Sequence, residues 1–105
     1  MARLYQIEVR VPRGADLKGG VPLVERLCSE EGLEKKVRTE LRTYPGSTHW
    51  HYSRKPSSGT LEITMWPEGA RIWLSVHENR EGPWTRETAR RLAKALEKGL
   101  GRHTS

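Results

Sequence analysis

The sequence predicts an α+β protein, a two-layer sandwich in which two helices cover one face of a mainly antiparallel, curved sheet. Three observations carry this expectation. The first strand candidate alternates cleanly between apolar and polar residues, the period of a half-buried strand. Four further extended segments follow one another with only short turns between them, which forces an antiparallel meander. Two other segments repeat apolar residues at helical spacing, so each has one stripe to bury.

The elements follow in the order β-α-β-β-β-β-α. Residues 4–11 form the first strand: Tyr5, Ile7, Val9 and Val11 point one way, Leu4, Gln6, Glu8 and Arg10 the other, and Pro12 ends it. Pro22 suits the first turn of a helix whose stripe is Leu23, Val24, Leu27 and Cys28, with Gly32 as the residue just past its end. Cys28 is a small core hydrophobe in this scheme. The four meander strands are 36–44, 48–54, 59–66 and 70–78, separated by Pro45-Gly46, Lys55-Pro56-Ser57-Ser58 and Glu68-Gly69. The segment 79–83 leads to a second helix, with Thr85 as N-cap. Ala89, Leu92, Ala93, Leu96 and Leu100 form its buried stripe, and Gly99 or Gly101 ends it. One domain is expected over 1–101, with a frayed tail over 102–105.

Opposed residues of an antiparallel pair share a face, so the apolar sets fix a register. Met65 falls opposite Ile72, with Glu68-Gly69 as a two-residue turn in which Gly supplies the positive φ. Trp50 falls opposite Ile63 and Tyr52 opposite Leu61; on the other side, Leu41 falls opposite Trp50 and Thr39 opposite Tyr52. The outer face then carries three rows: Arg42, His49, Thr64, Trp73; Glu40, His51, Glu62, Ser75; and Arg38, Ser53, Thr60, His77. Trp66 faces Arg71 near the last hairpin.

This element order resembles that of the TATA-box-binding-protein-like folds, a curved sheet with helices on its convex side. The resemblance lies in the order alone, without a residue motif. It implies a binding surface on the open sheet face, and a fold by itself assigns no function.

Composition narrows the classes further. A single Cys excludes an intramolecular disulfide, and the first residues do not read as a signal peptide, so a cytoplasmic protein is expected. No apolar run is long enough to span a bilayer, so no membrane partner is expected. Thirteen Arg, twelve Glu and a single Asn and Gln fit a protein made for high temperature. The net charge of +6 is the electrostatic requirement for binding nucleic acid, though not evidence of it.

No catalytic signature and no cofactor motif stands in the chain, and it is expected to be a small binding module rather than an enzyme. Its expected surface is the outer face, with Arg38, Arg42, His49, His51, Trp66, Arg71, Trp73 and His77 as candidate contacts. The first expectation is self-association into a homodimer or binding of a partner chain, because large exposed aromatics mark interfaces. Single-stranded nucleic acid is the alternative, with Trp66 and Trp73 stacking bases and Arg38, Arg42 and Arg71 meeting phosphates.

A His-lined small-molecule or metal site is the third expectation. His49 and His51 point the same way from one strand, and His77 or Glu62 could complete a set, although two ligands are not a site. The row Glu40, His51, Glu62 is the one acid–base candidate, and two carboxylates beside His51 should raise its pKa. Asp16-Leu17-Lys18-Gly19-Gly20 could offer amides to an anion, without phosphate-loop spacing. Arg86, Arg90, Lys94 and Lys98 make a basic stripe on the second helix, which most simply is a solvated face.

Overall fold

A computed structural model describes residues 4–102. It contains β1 (Leu4–Glu8), α1 (Val21–Glu30), β2 (Glu34–Thr39), β3 (Thr48–Ser53), β4 (Leu61–Trp66), β5 (Arg71–His77), a 3-10 turn over Glu78–Arg80, and α2 (Thr85–Arg102). The element order is the expected one. The five strands form one antiparallel sheet in the order β1-β5-β4-β3-β2. The first strand thus returns to pair with the last, and β4 lies at the centre.

One face of the sheet is the core. Trp50, Leu61, Ile63, Met65, Ile72, Leu74 and Val76 lie beneath Val24 and Cys28 of α1 and Ala89, Leu92, Leu96 and Leu100 of α2, all buried. Cys28 is fully enclosed, and burial pushes its thiol up to about 12, so it packs rather than reacts. α1 begins with Pro in its first turn and ends with Gly32 at φ 78°. The N–H of Leu33 bonds the carbonyl of Cys28 and that of Gly32 the carbonyl of Ser29, the paired C-terminal closure that Gly permits.

Several boundaries differ from expectation. The first strand stops at Glu8, although Val9 N–H still bonds the Ile72 carbonyl. Trp84, not Thr85, caps α2: its carbonyl accepts the Thr88 N–H, while the Thr85 hydroxyl donates to the Gly82 carbonyl. Neither Gly99 nor Gly101 ends α2, because buried Leu100 holds the last turn on the core. Arg102 is therefore helical rather than the start of a tail, and the rest of that tail, 103–105, lies outside the described residues. At the β4–β5 hairpin the positive φ belongs to Ala70, at 53°, and Ala70 N–H bonds the Pro67 carbonyl. Gly69 is needed for a different reason: a Cβ there would stand 2.2 Å from the Trp66 ring.

The largest correction concerns β2, expected at 36–44 and found at Glu34–Thr39. All six of its residues are exposed and most are charged, so no alternation marks it. A bulge between Lys35 and Val37 shifts its register. Trp50 therefore pairs with Arg38 instead of Leu41, and His49 with Thr39, while Tyr52 pairs with Lys35. Residues 40–47 form a loop closed by Glu40 Oε2, which accepts the Gly46 N–H at 2.8 Å, and by Ser47 Oγ, which accepts the Leu41 N–H at 3.1 Å. No helix among the described residues is long and apolar enough to cross a membrane.

Candidate metal centre

The outer face keeps its expected pairing in β3, β4 and β5. His49 lies opposite Thr64, which lies opposite Trp73; His51 lies opposite Glu62, which lies opposite Ser75. The third row does not form as expected, since β4 starts after Thr60 and His77 pairs with Leu4 of β1.

β2 contributes differently from expectation. Val37 stands beside His51 in the place given to Glu40. Glu40 is spent on its own loop, and Arg42 is exposed there, outside any strand. The bulge turns Arg38 to the helix side, where its guanidinium bonds Glu25 Oε2 at 3.0 Å. Arg38 and Glu40 are thus engaged elsewhere, and Arg42 lies in the loop rather than in a strand row.

Trp73 was expected to be exposed, but it is only 6% exposed. The 40–47 loop folds over this end of the sheet and sets Tyr44 edge-on against both Trp66 and Trp73, with ring centroids 5.0 Å apart in each pair. Trp66 donates its indole N–H to the Pro45 carbonyl. Arg71 lies over Trp73, its guanidinium carbon 4.3 Å from the ring centroid, and is ion-paired with Glu8. This aromatic cluster is therefore largely internal, held by edge contacts worth about 0.5–1.5 kcal/mol each.

Next to it the same face holds a compact polar cluster. His49 Nε2 lies 3.1 Å from His51 Nε2 and 3.3 Å from Glu62 Oε1. His51 Nε2 lies 3.7 Å from the same Glu62 oxygen. These three donors converge on one point. Strand alternation puts both imidazoles on one side of β3, and the β3–β4 register brings Glu62 across to them. His49 and Glu62 are buried, whereas His51 is partly exposed. Behind the cluster, buried Thr64 sits with its Oγ1 2.7 Å from His49 Nδ1. When Nδ1 donates to this hydroxyl, the lone pair of Nε2 faces the other two donors. His77 approaches from β5 and places Nε2 3.4 Å from the other carboxylate oxygen, Glu62 Oε2.

The charges follow from this packing. Burial opposes ionisation of Glu62, but the His49 hydrogen bond and the neighbouring His51 and His77 outweigh it, leaving its pKa below the ordinary value. His51 moves opposite to expectation. Burial lowers its pKa, Glu62 pulls the other way, and His49, Arg80 and His77 add to the lowering. The expected rise needed Glu40 as a second carboxylate, and Glu40 is elsewhere. The lowering favours the neutral imidazole, the form that binds metals.

The donor set and spacing match a transition ion. A tetrahedral ion with bonds of about 2.0–2.1 Å holds its ligand atoms about 3.3–3.4 Å apart, within the spread of the three separations found. Two imidazoles and one carboxylate suit zinc and its neighbours better than calcium or magnesium, which prefer oxygen throughout. The His49–Thr64 bond is the kind of outer contact that fixes a ligating imidazole. The anion loop expected before α1 is already satisfied from within: Asp16 Oδ1 accepts the N–H groups of Lys18 and Gly19.

The fold and this cluster define an α+β sandwich protein with a His-His-carboxylate cluster on its open sheet face. Compared with known proteins, the chain matches no family model, no curated protein and no solved structure.

Proposed function

We propose that this protein is a metal-binding module, holding a zinc-class divalent ion on the open sheet face through His49, His51 and Glu62. The observation that carries this is the convergence of three donor atoms at 3.1, 3.3 and 3.7 Å, with His49 oriented from behind by Thr64. Metal binding uses three donor atoms that this face already brings together. Base stacking on Trp73 requires a free ring face, and there the Arg71 guanidinium and the Tyr44 edge already occupy that space.

Calorimetric titration of metal-stripped protein with zinc tests the proposal. The expected result is one ion per chain, with binding lost or weakened at least about tenfold in His49→Ala and in Glu62→Gln, and no binding of magnesium. Glu62→Gln keeps the shape of the side chain, so a folded Gln variant by circular dichroism isolates the ligand effect. Absence of stoichiometric zinc binding, or equal binding by both variants, overturns it.

A further inference from the structure

We infer that the fourth coordination position of this centre is open to an exchangeable small anion or water, and that His77 keeps it open by restraining the outer oxygen of Glu62. The inference rests on the metal reading above. Its structural basis is the division of labour between the two carboxylate oxygens: Oε1 faces His49 and His51, and Oε2 faces His77.

Structural zinc sites are closed by four protein ligands, whereas sites that exchange ligands keep one position free. Among the described residues, only His49, His51 and Glu62 bring donor atoms together here. His77 stands one step outside, within 3.4 Å of Oε2. A carboxylate bound through one oxygen can swing to chelate with both, which would fill the vacant position. The His77 contact opposes that swing. It is a positioning residue, acting through Glu62.

Access and charge agree with an exchangeable anion. The side chains of His49 and Glu62 are about one-tenth exposed, that of His51 a quarter, and that of His77 nearly half, so the centre opens on the His51–His77 side. Arg80, exposed at the end of the 3-10 turn, adds positive potential at His51. A small, monodentate, negatively charged donor is the ligand class that fits this opening.

Cobalt(II) replaces zinc in such sites and reports its coordination in the visible spectrum, and thiocyanate is a suitable probe anion. In the wild-type protein, thiocyanate is expected to shift the cobalt spectrum saturably, one anion per chain. His77→Ala is expected to retain cobalt while its thiocyanate affinity falls about tenfold or more, as Oε2 closes onto the metal. His77→Gln, which offers Oε2 an amide N–H at a similar reach, is expected to recover part of that loss. A cobalt spectrum that thiocyanate does not move in the wild type overturns the inference. So does a response that appears only in His77→Ala, because His77 would then be the fourth ligand itself. Equal responses in wild type and His77→Ala overturn the role of His77. Failure of cobalt to bind at all is a different result, and it removes the metal reading as well.

Discussion

Thr64 is almost fully buried at the centre of β4, and its hydroxyl lies 2.7 Å from His49 Nδ1. A hydroxyl in such a place needs a partner, and on the metal reading it accepts from His49 Nδ1 and leaves Nε2 for the ion. Thr64→Val keeps the volume and removes the acceptor. It should lower zinc affinity about 10–100-fold, read by competition against a chromophoric chelator, while Thr64→Ser restores most of it. Unchanged affinity in the Val variant would mean that His49 is oriented by something else. At this scale the sequence was informative where period-two alternation governs. His49, His51, Glu62 and Thr64 could all be placed on one face from strand parity. Glu40 could not, because its side chain folds back on its own loop through a local hydrogen bond that parity does not detect.

The elements divide in the same way. β3, β4 and β5 carry apolar residues at every second position, and their mutual register was legible for that reason. β2 is an exposed, charged edge strand, as edge strands often are, and its position is set from outside by Glu25 of α1. Glu25 Oε2 accepts from Trp50 Nε1, Lys35 Nζ and an Arg38 guanidinium nitrogen, at 3.0, 3.1 and 3.0 Å. Burial alone would raise the Glu25 pKa; these three hydrogen bonds overcome it and bring it to about 2. A depressed folded pKa stabilises above the unfolded value, near 4.5, and that contribution disappears as pH falls through about 2. Allowing for partial exposure, the contribution is about 1–2 kcal/mol. Denaturant midpoints at pH 7 and pH 3 should therefore diverge less in Glu25→Gln than in the wild type, with Gln the less stable at pH 7. A parallel pH response in the two proteins would separate Glu25 from the register of β2.

A second element-scale test concerns the crossing of two loops. A Cβ on Gly82 would stand 2.0 Å from the Ser58 carbonyl oxygen, a backbone atom with no freedom to yield. The same crossing is tied by Trp84 Nε1, which donates to that oxygen at 2.8 Å. Gly82→Ala should thus destabilise the protein by about 1–3 kcal/mol, the usual range for overpacking. Thermal unfolding measures it, and a neutral result would show that the loops do not pack this closely.

The whole molecule joins the cluster to the fold, since its three donors sit on two adjacent central strands and share one geometry only when β3 and β4 are paired. The layer order was predictable because two amphipathic helices must cover one face. The loop that covers part of the other face was not, since its anchors, the Tyr44 ring and the Pro45 carbonyl, carry no periodic signal. An ion that binds only the folded chain stabilises it by about 2.7 kcal/mol at a free concentration one hundred times its dissociation constant. For a domain of this length each kcal/mol moves the melting temperature about 4–8 °C. Zinc at that excess should then raise the melting temperature by roughly 10–20 °C, less whatever the unfolded histidines bind. Glu62→Gln removes the carboxylate and leaves all histidines in place, so residual binding to the unfolded chain is the same in both proteins. The shift should fall by about half or more in the Gln variant. If zinc raises the two melting temperatures equally, the ion is not held across β3 and β4, and the sheet face is not a metal site.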